Sequence, residues 1–314
     1  MYSQHFRLRF TRKNAAKLLL LNIFLLGAAV SCRTSQDAQT AATRLTATAE
    51  DLHLYYVSLS KVVEQHEKLE RLQNALLGVP LDQQDLDQLK TAHEEIEKRA
   101  EIAKSLADLA QAYSELTNSQ AAEKVALSAE NLGSALSGIK QLPGSSHAPE
   151  ALKRAGNLLV TLAQKHDQRK MAQAMDPTIT GLSEMFSEEK PVYGSIHRTY
   201  IGLAQSLALE LVRRHQIDAR SLLLPALRPF GLPPGESGEN LSPGLQAYAQ
   251  QQIQERGQSE IAAHNAASTY LDEALKEAAK QIHALASGEH LPPAPPQPYK
   301  SSVERWTAML SEKE

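Results

Sequence analysis

Two histidines open the search for chemistry. His66 and His93 come to one level if the segments that carry them fold back on each other. Two imidazoles at one level can share a metal ion or make a pH-sensitive contact. Two nitrogens alone make a poor metal site, and the nearby Glu64, Glu70 and Glu94 belong to polar faces, so a hydrogen-bonded pair at the wet end of a hairpin is the favoured reading and the metal stays unknown. Glu50-Asp-Leu-His53 supplies one Glu-x-x-His, of which a di-iron bundle needs two, and no second copy exists. Ser58-Leu-Ser-Lys61 matches Ser-x-x-Lys in form, yet it sits mid-helix without the companion motifs of serine acyl enzymes. On "VYGSIHRTYIGLAQ" (192–205), Tyr193 and His197 share a face at i, i+4, as do Ile196 and Tyr200. Aromatic bodies with polar tips line ligand pockets, although plain packing at a helix start is the favoured reading. No Gly-x-Ser-x-Gly, His-Glu-x-x-His, Walker or Rossmann pattern stands in a useful context. Catalysis is therefore not expected, and no cofactor is called for. One residue remains: Cys32, the only cysteine, directly behind an apolar run.

The elements that must position these residues read as helices. Alanine, leucine, glutamate, glutamine and lysine fill the chain, while aromatics make up only 5% of it. Leu45, Ala49, Leu52, Tyr56, Leu59, Val63 and His66 keep a 4-3-4-3 spacing, and so do Leu89, His93, Ile96, Ala100, Ala103, Ala107 and Ala110. Gly78-Val79-Pro80 supplies the stop between them, and a short connection makes the two helices antiparallel. Folding about that turn pairs positions whose numbers total about 159, which sets large residues against alanines: Val63 against Ile96, Leu59 against Ala100, Tyr56 against Ala103, Leu52 against Ala107. A third seam runs Ala122, Val125, Ala129, Leu132, Leu136, Ile139, and a fourth follows Pro149 with Leu152, Ala155, Leu159 and Leu162. Asp176-Pro177 is expected to start a further short helix, and Pro191 to interrupt it before Ile196, Tyr200, Leu203, Leu207 and Leu211. A last long seam holds Ile261, His264, Ser268, Leu271, Leu275, Ala278, Ile282 and Leu285.

These seams predict an all-α chain, a helical bundle or elongated antiparallel helical hairpins behind a cleaved signal peptide. The organisation read from them is a signal over 1–31, a polar stalk over 32–44 and a multi-helix domain over 45–228. A Pro/Gly-rich linker over 229–243, a long C-terminal helix over 244–288 packing on the bundle, and a Pro-rich tail over 289–314 with a short terminal helix complete it. The tail's "LPPAPPQPY" reads as a stiff spacer that lets the helix of Val303, Trp306 and Leu310 dock back on the body or meet a partner.

The amino-terminal segment explains the cysteine. Arg7, Arg9, Arg12, Lys13 and Lys17 precede a 13-residue apolar run, Leu18–Val30, which is short of the ~20 residues that span a bilayer. A basic stretch, a short apolar run and small residues ahead of a cut site describe an export signal. Ala29-Val30-Ser31-Cys32 resembles the lipobox of bacterial lipoproteins, with Ala29 where leucine is commoner. That resemblance implies acylation of Cys32, cleavage just before it and anchoring in the lipid bilayer without crossing it. Arg33 after the cysteine, where an inner-membrane lipoprotein has aspartate, implies the periplasmic face of the outer membrane in a Gram-negative host. Without residues 1–31 the formal charge falls from −3 to −8, which argues against nucleic acid as a partner. The function expected is a membrane-anchored helical binding or scaffold module with a protein partner in the cell envelope. The alternative is a periplasmic helical enzyme or a small-ligand or metal binder with its pocket between helices.

Overall fold

The computed structural model describes residues 12–80, 82–115, 121–145, 149–163, 168–214, 242–289, 291 and 301–311, with the backbone alone at 12–35, 121–122, 162–163 and 168. Seven helices and no strand occur among these residues, so the chain is all-α. They are α1 (Arg12–Leu77), α2 (Gln83–Ser114), α3 (Ala121–Ser137), α4 (Glu150–Ala163), α5 (Gln168–Arg213), α6 (Pro243–Ser287) and α7 (Ser302–Ser311). Residues 1–11, the Cys32 side chain, 229–241 of the expected linker and 292–300 of the tail lie outside the described residues. None of the helices, among the described residues, is long and apolar enough to cross a membrane.

Two long hairpins, α1–α2 and α5–α6, lie against each other, α3 and α4 pack in sequence between α2 and α5, and α7 rests on α1 and α6. The interior divides into two clusters. One, around the middle of α1, is built of alanine, leucine and methionine: Ala38, Ala42 and Leu45 lie with Leu106, Leu132, Met175 and Ile282. The other collects the aromatics, with Tyr55, Tyr56, Phe186, Tyr193 and Trp306 beside Leu59, Ile96 and Leu271.

Two seams bury as their spacing requires, whereas of the seam expected after Pro191 only Leu207 is buried and Ile196, Tyr200, Leu203 and Leu211 are half-buried. Every residue of the α1 series from Leu45 to His66 is buried, and so are Ile96, Ala100, Ala103, Ala107 and Ala110 of α2. The register of that hairpin departs from expectation. Ser60 Oγ lies 3.1 Å from His93 Nδ1, and His53 Nδ1 lies 2.8 Å from the Ala100 carbonyl oxygen. Both pairs total 153, a slip of six residues from the symmetric fold. α1 stops at a left-handed Gly78 (φ 66°) whose successor, Val79 N–H, donates to Asn74 O at 3.1 Å, and α2 starts only where the Asp82 carboxylate caps Gln84 N–H at 2.8 Å. Non-helical residues advance about twice as far as helical ones, so the connection carries α2 back along α1.

Two further expectations are corrected. Residues 33–44, read as a stalk, continue α1, and Ala38, Ala41 and Ala42 are buried ahead of Leu45. Small side chains at i, i+3 and i+4 let α1 approach its neighbours there. Pro177 and Pro191 lie inside α5 rather than at helix boundaries. Each proline forfeits about 3 kcal/mol in a helix interior. α5 buries Met171, Met175, Ile179, Leu182, Phe186 and Tyr193 around them, at about 1.5–3 kcal/mol for each large side chain, and packing wins.

Candidate functional site

The chemistry-bearing side chains converge where α1, α5, α6 and α7 meet. Tyr193 and His197 are fully buried on one face of α5, and Tyr200 is half-buried a turn later. His197 stacks on His264 of α6 with ring centroids 4.5 Å apart and planes 9° from parallel. Tyr55 of α1 places its hydroxyl 2.9 Å from His264 Nε2. Burial holds the Tyr55 phenol well above its ordinary range, so this hydroxyl donates and the imidazole accepts as the neutral ring. Burial also lowers His264 to about 4, with Arg198 adding to the effect. Trp306 of α7 closes the cluster, its ring 5.0 Å from His264, 5.2 Å from Tyr55 and 5.7 Å from His197.

α7 is held at its first turn as well. Ser301 and Glu304 form a reciprocal cap: Ser301 N–H donates to Glu304 Oε2 at 2.9 Å, and Glu304 N–H donates to Ser301 Oγ at 3.1 Å. The same Ser301 hydroxyl donates to Asp51 Oδ1 of α1 at 2.9 Å.

A charged network lies alongside. Arg99 of α2 donates to both Glu189 oxygens of α5, at 2.7 and 2.5 Å, and to the carbonyl oxygens of Glu95 (2.8 Å) and Lys140 (3.2 Å). Tyr193 O–H donates to Glu189 Oε2, and the Tyr56 and Tyr193 hydroxyls meet at 3.2 Å. Glu95 in turn accepts from Lys98 at 2.6 Å and from Lys140 N–H at 2.8 Å. Arg99 is 1% exposed and Glu189 is not exposed at all. Burial opposes the guanidinium charge, but the facing Tyr193 and Glu189 outweigh it and hold Arg99 above its ordinary value. With donors and acceptors matched this way, the network is equipped to fix a packing arrangement.

His66 and His93, expected at one level, are each engaged elsewhere. His66 is buried on α1 with Nε2 3.4 Å from Glu70, and burial lowers its pKa. His93 is half-buried, bonded to Ser60, with Nε2 3.4 Å from Glu97. Among the described residues no group of three or more His, Cys, Asp or Glu is placed to hold a metal ion. Ser58 and Lys61 line a cavity of about 190 Å³ with Val62, Gln65, Tyr200, Thr307, Leu310 and Ser311. A wider groove of about 400 Å³ lies between the end of α1, the end of α5 and α6, lined in part by Leu76, Leu77, Leu207 and Gln250.

Sequence reasoning singled out three residues of the aromatic cluster, Tyr193, His197 and Tyr200. It placed His264, Tyr56 and Trp306 on seams without assigning them a role, and it missed Tyr55, Arg99 and Glu189. The signal for Trp306 was its being the sole tryptophan. Arg99 and Glu189 look like ordinary surface charges on their helices, and only the tertiary contact sets them apart. Comparison with protein-family models, with curated proteins and with solved structures finds no match to this chain.

Proposed function

We propose that this chain is an envelope lipoprotein, anchored in the bilayer through acylated Cys32, whose helical body is a binding or scaffold module for a protein partner. The observation that supports it most is the course of α1. The backbone stays helical past Cys32, and Ala38, the first buried side chain among the described ones, follows six residues later. A lipid at Cys32 would thus hold the bundle directly, without a slack tether. From there α1 advances about 60 Å to Leu72, at 1.5 Å per residue. At that end Leu72, Leu77 and Val79 are 44%, 56% and 52% exposed, next to the wider groove. A rigid arm with apolar residues at its tip suits presentation to a partner, and apolar exposure of this kind marks interaction surfaces.

Two measurements test the reading. Mass spectrometry of the mature chain should find an acylated amino terminus at Cys32, lost in Cys32→Ser; an unmodified wild type refutes the anchor. Crosslinking in intact envelopes from positions 72 and 79 should trap a discrete partner, and a tip that crosslinks to nothing refutes the scaffold. The cavity beside Tyr200 favours a second reading, a small-ligand binder. In that case Lys61→Ala should abolish binding of whatever small molecule co-purifies.

A further inference from the structure

We propose that α7 is a displaceable latch, seated by Trp306 on the stacked His197–His264 pair and released from the body by mild acidification. The seat is assembled from three other helices: Tyr55 on α1, His197 on α5 and His264 on α6. α7 is ten residues long, below the length at which an isolated helix holds in water, so its helicity depends on this seat. Val303 and Trp306 are its buried anchors, and Leu310 completes the same face. Among the described residues, its first turn is capped by Ser301 and Glu304 and tied to α1 by the Ser301–Asp51 hydrogen bond.

The stacked imidazoles make the seat sensitive to protons. Parallel rings 4.5 Å apart cannot both carry charge, and the indole covering them excludes the water that a charged ring needs. The groups around the pair come from every neighbouring element. α1 brings Tyr55, which donates to His264, and Asp51 at the cap of α7. α5 brings Arg198, which disfavours a proton on His264, and the Tyr200 ring against His197. α6 carries Asn265, which favours the protonated ring, and Glu260, buried one turn before His264. α7 itself brings Glu304 and the exposed Arg305. Burial is the largest influence on His264 and opposes its protonation, Asn265 favours it, and Arg198 opposes it.

Undocking α7 returns His264 toward its ordinary pKa of 6.5 from about 4. The group with the depressed value in the closed state loses its advantage as pH falls from 6.5 toward 4. A full return to that value sets the limit: at pH 5 the balance between seated and released α7 shifts toward release by at most about 30-fold relative to pH 7.5.

Trp306 is the only tryptophan, so its fluorescence reports this seat alone. In the full chain titrated from pH 7.5 to 4.5, emission should shift to that of a solvated indole while far-UV ellipticity loses no more than ten residues of helix. His264→Gln, which keeps an acceptor for Tyr55, should abolish most of that shift. Three outcomes overturn the latch: emission constant across the range, a red shift that coincides with loss of most of the helical signal, or an unchanged midpoint in both His264→Gln and His197→Gln.

Discussion

Replacing Arg99 with methionine should be among the most damaging single changes to the body. The guanidinium makes two bonds to Glu189 and ties Glu95 and Lys140 to the same point, all in a region closed to water. Methionine fills a similar volume, so the main loss is electrostatic. Glu189 is left ionised and buried with Tyr193 as its remaining donor. Removing one partner of a buried pair typically costs about 3–5 kcal/mol, because the other charge stays uncompensated. Removing both is far milder, so Arg99→Met with Glu189→Met together should cost under about 2 kcal/mol. Arg99→Lys falls between them, since an ammonium cannot bond both carboxylate oxygens and two carbonyls in one plane.

Urea unfolding followed by far-UV circular dichroism measures the loss, and the denaturation midpoint should fall at constant slope. A loss below about 1 kcal/mol, or a double variant as unstable as the single one, refutes this account of the network.

Three other substitutions and one titration follow from local geometry. A Cβ on Gly133 would stand 2.5 Å from Val160 Cγ2 and 3.3 Å from Gly156 O, so Gly133→Val should force α3 and α4 apart at a cost of about 1–3 kcal/mol, read by thermal unfolding. Gly202 lies mid-helix in α5 with nothing within 4 Å of a Cβ, so Gly202→Ala should raise stability by about 0.5–1 kcal/mol. Leu271 is fully buried in the aromatic cluster, and Leu271→Ala should cost about 2–5 kcal/mol in the same assay. His283 Nδ1 lies 2.9 Å from Asp176, which raises its pKa, so its ring resonances should titrate above 6.5 by NMR and move down in Asp176→Asn.

The helices were legible because their seams are long and regular. From Leu45 to His66 every predicted inward residue is buried, and from His264 to Leu285 the same holds. Where sequence rules failed, a tertiary term outweighed a local one. Pro177 and Pro191 carry a strong local stop signal, yet α5 passes through both because Ile179, Phe186 and Tyr193 need to bury. The alanines of 38–42 look polar in the company of Gln, Thr and Asp, and only the neighbouring helices make them core. The candidate site was half legible. Tyr193 and His197 showed their shared face at i, i+4, but His264 is 67 residues further along the chain, and no local pattern could bring its ring onto His197.

The hairpin register shows why the buried polar groups matter to the fold. An α2 surface with alanine at 100, 103, 107 and 110 offers similar apolar contacts at several offsets, so apolar complementarity alone admits both the symmetric pairing and the one observed. Polar contacts separate the two. Sliding α2 by six residues carries Arg99 about 9 Å along its axis, far from Glu189 and from the Lys140 backbone. The slipped state then buries charges without partners, at several kcal/mol each. We infer that the network selects the register more than it adds stability. The Arg99→Met/Glu189→Met variant should therefore keep its helical content while amide exchange along α1 and α2 quickens and becomes heterogeneous. Uniform wild-type exchange protection in that variant would place the choice of register in the apolar seams instead.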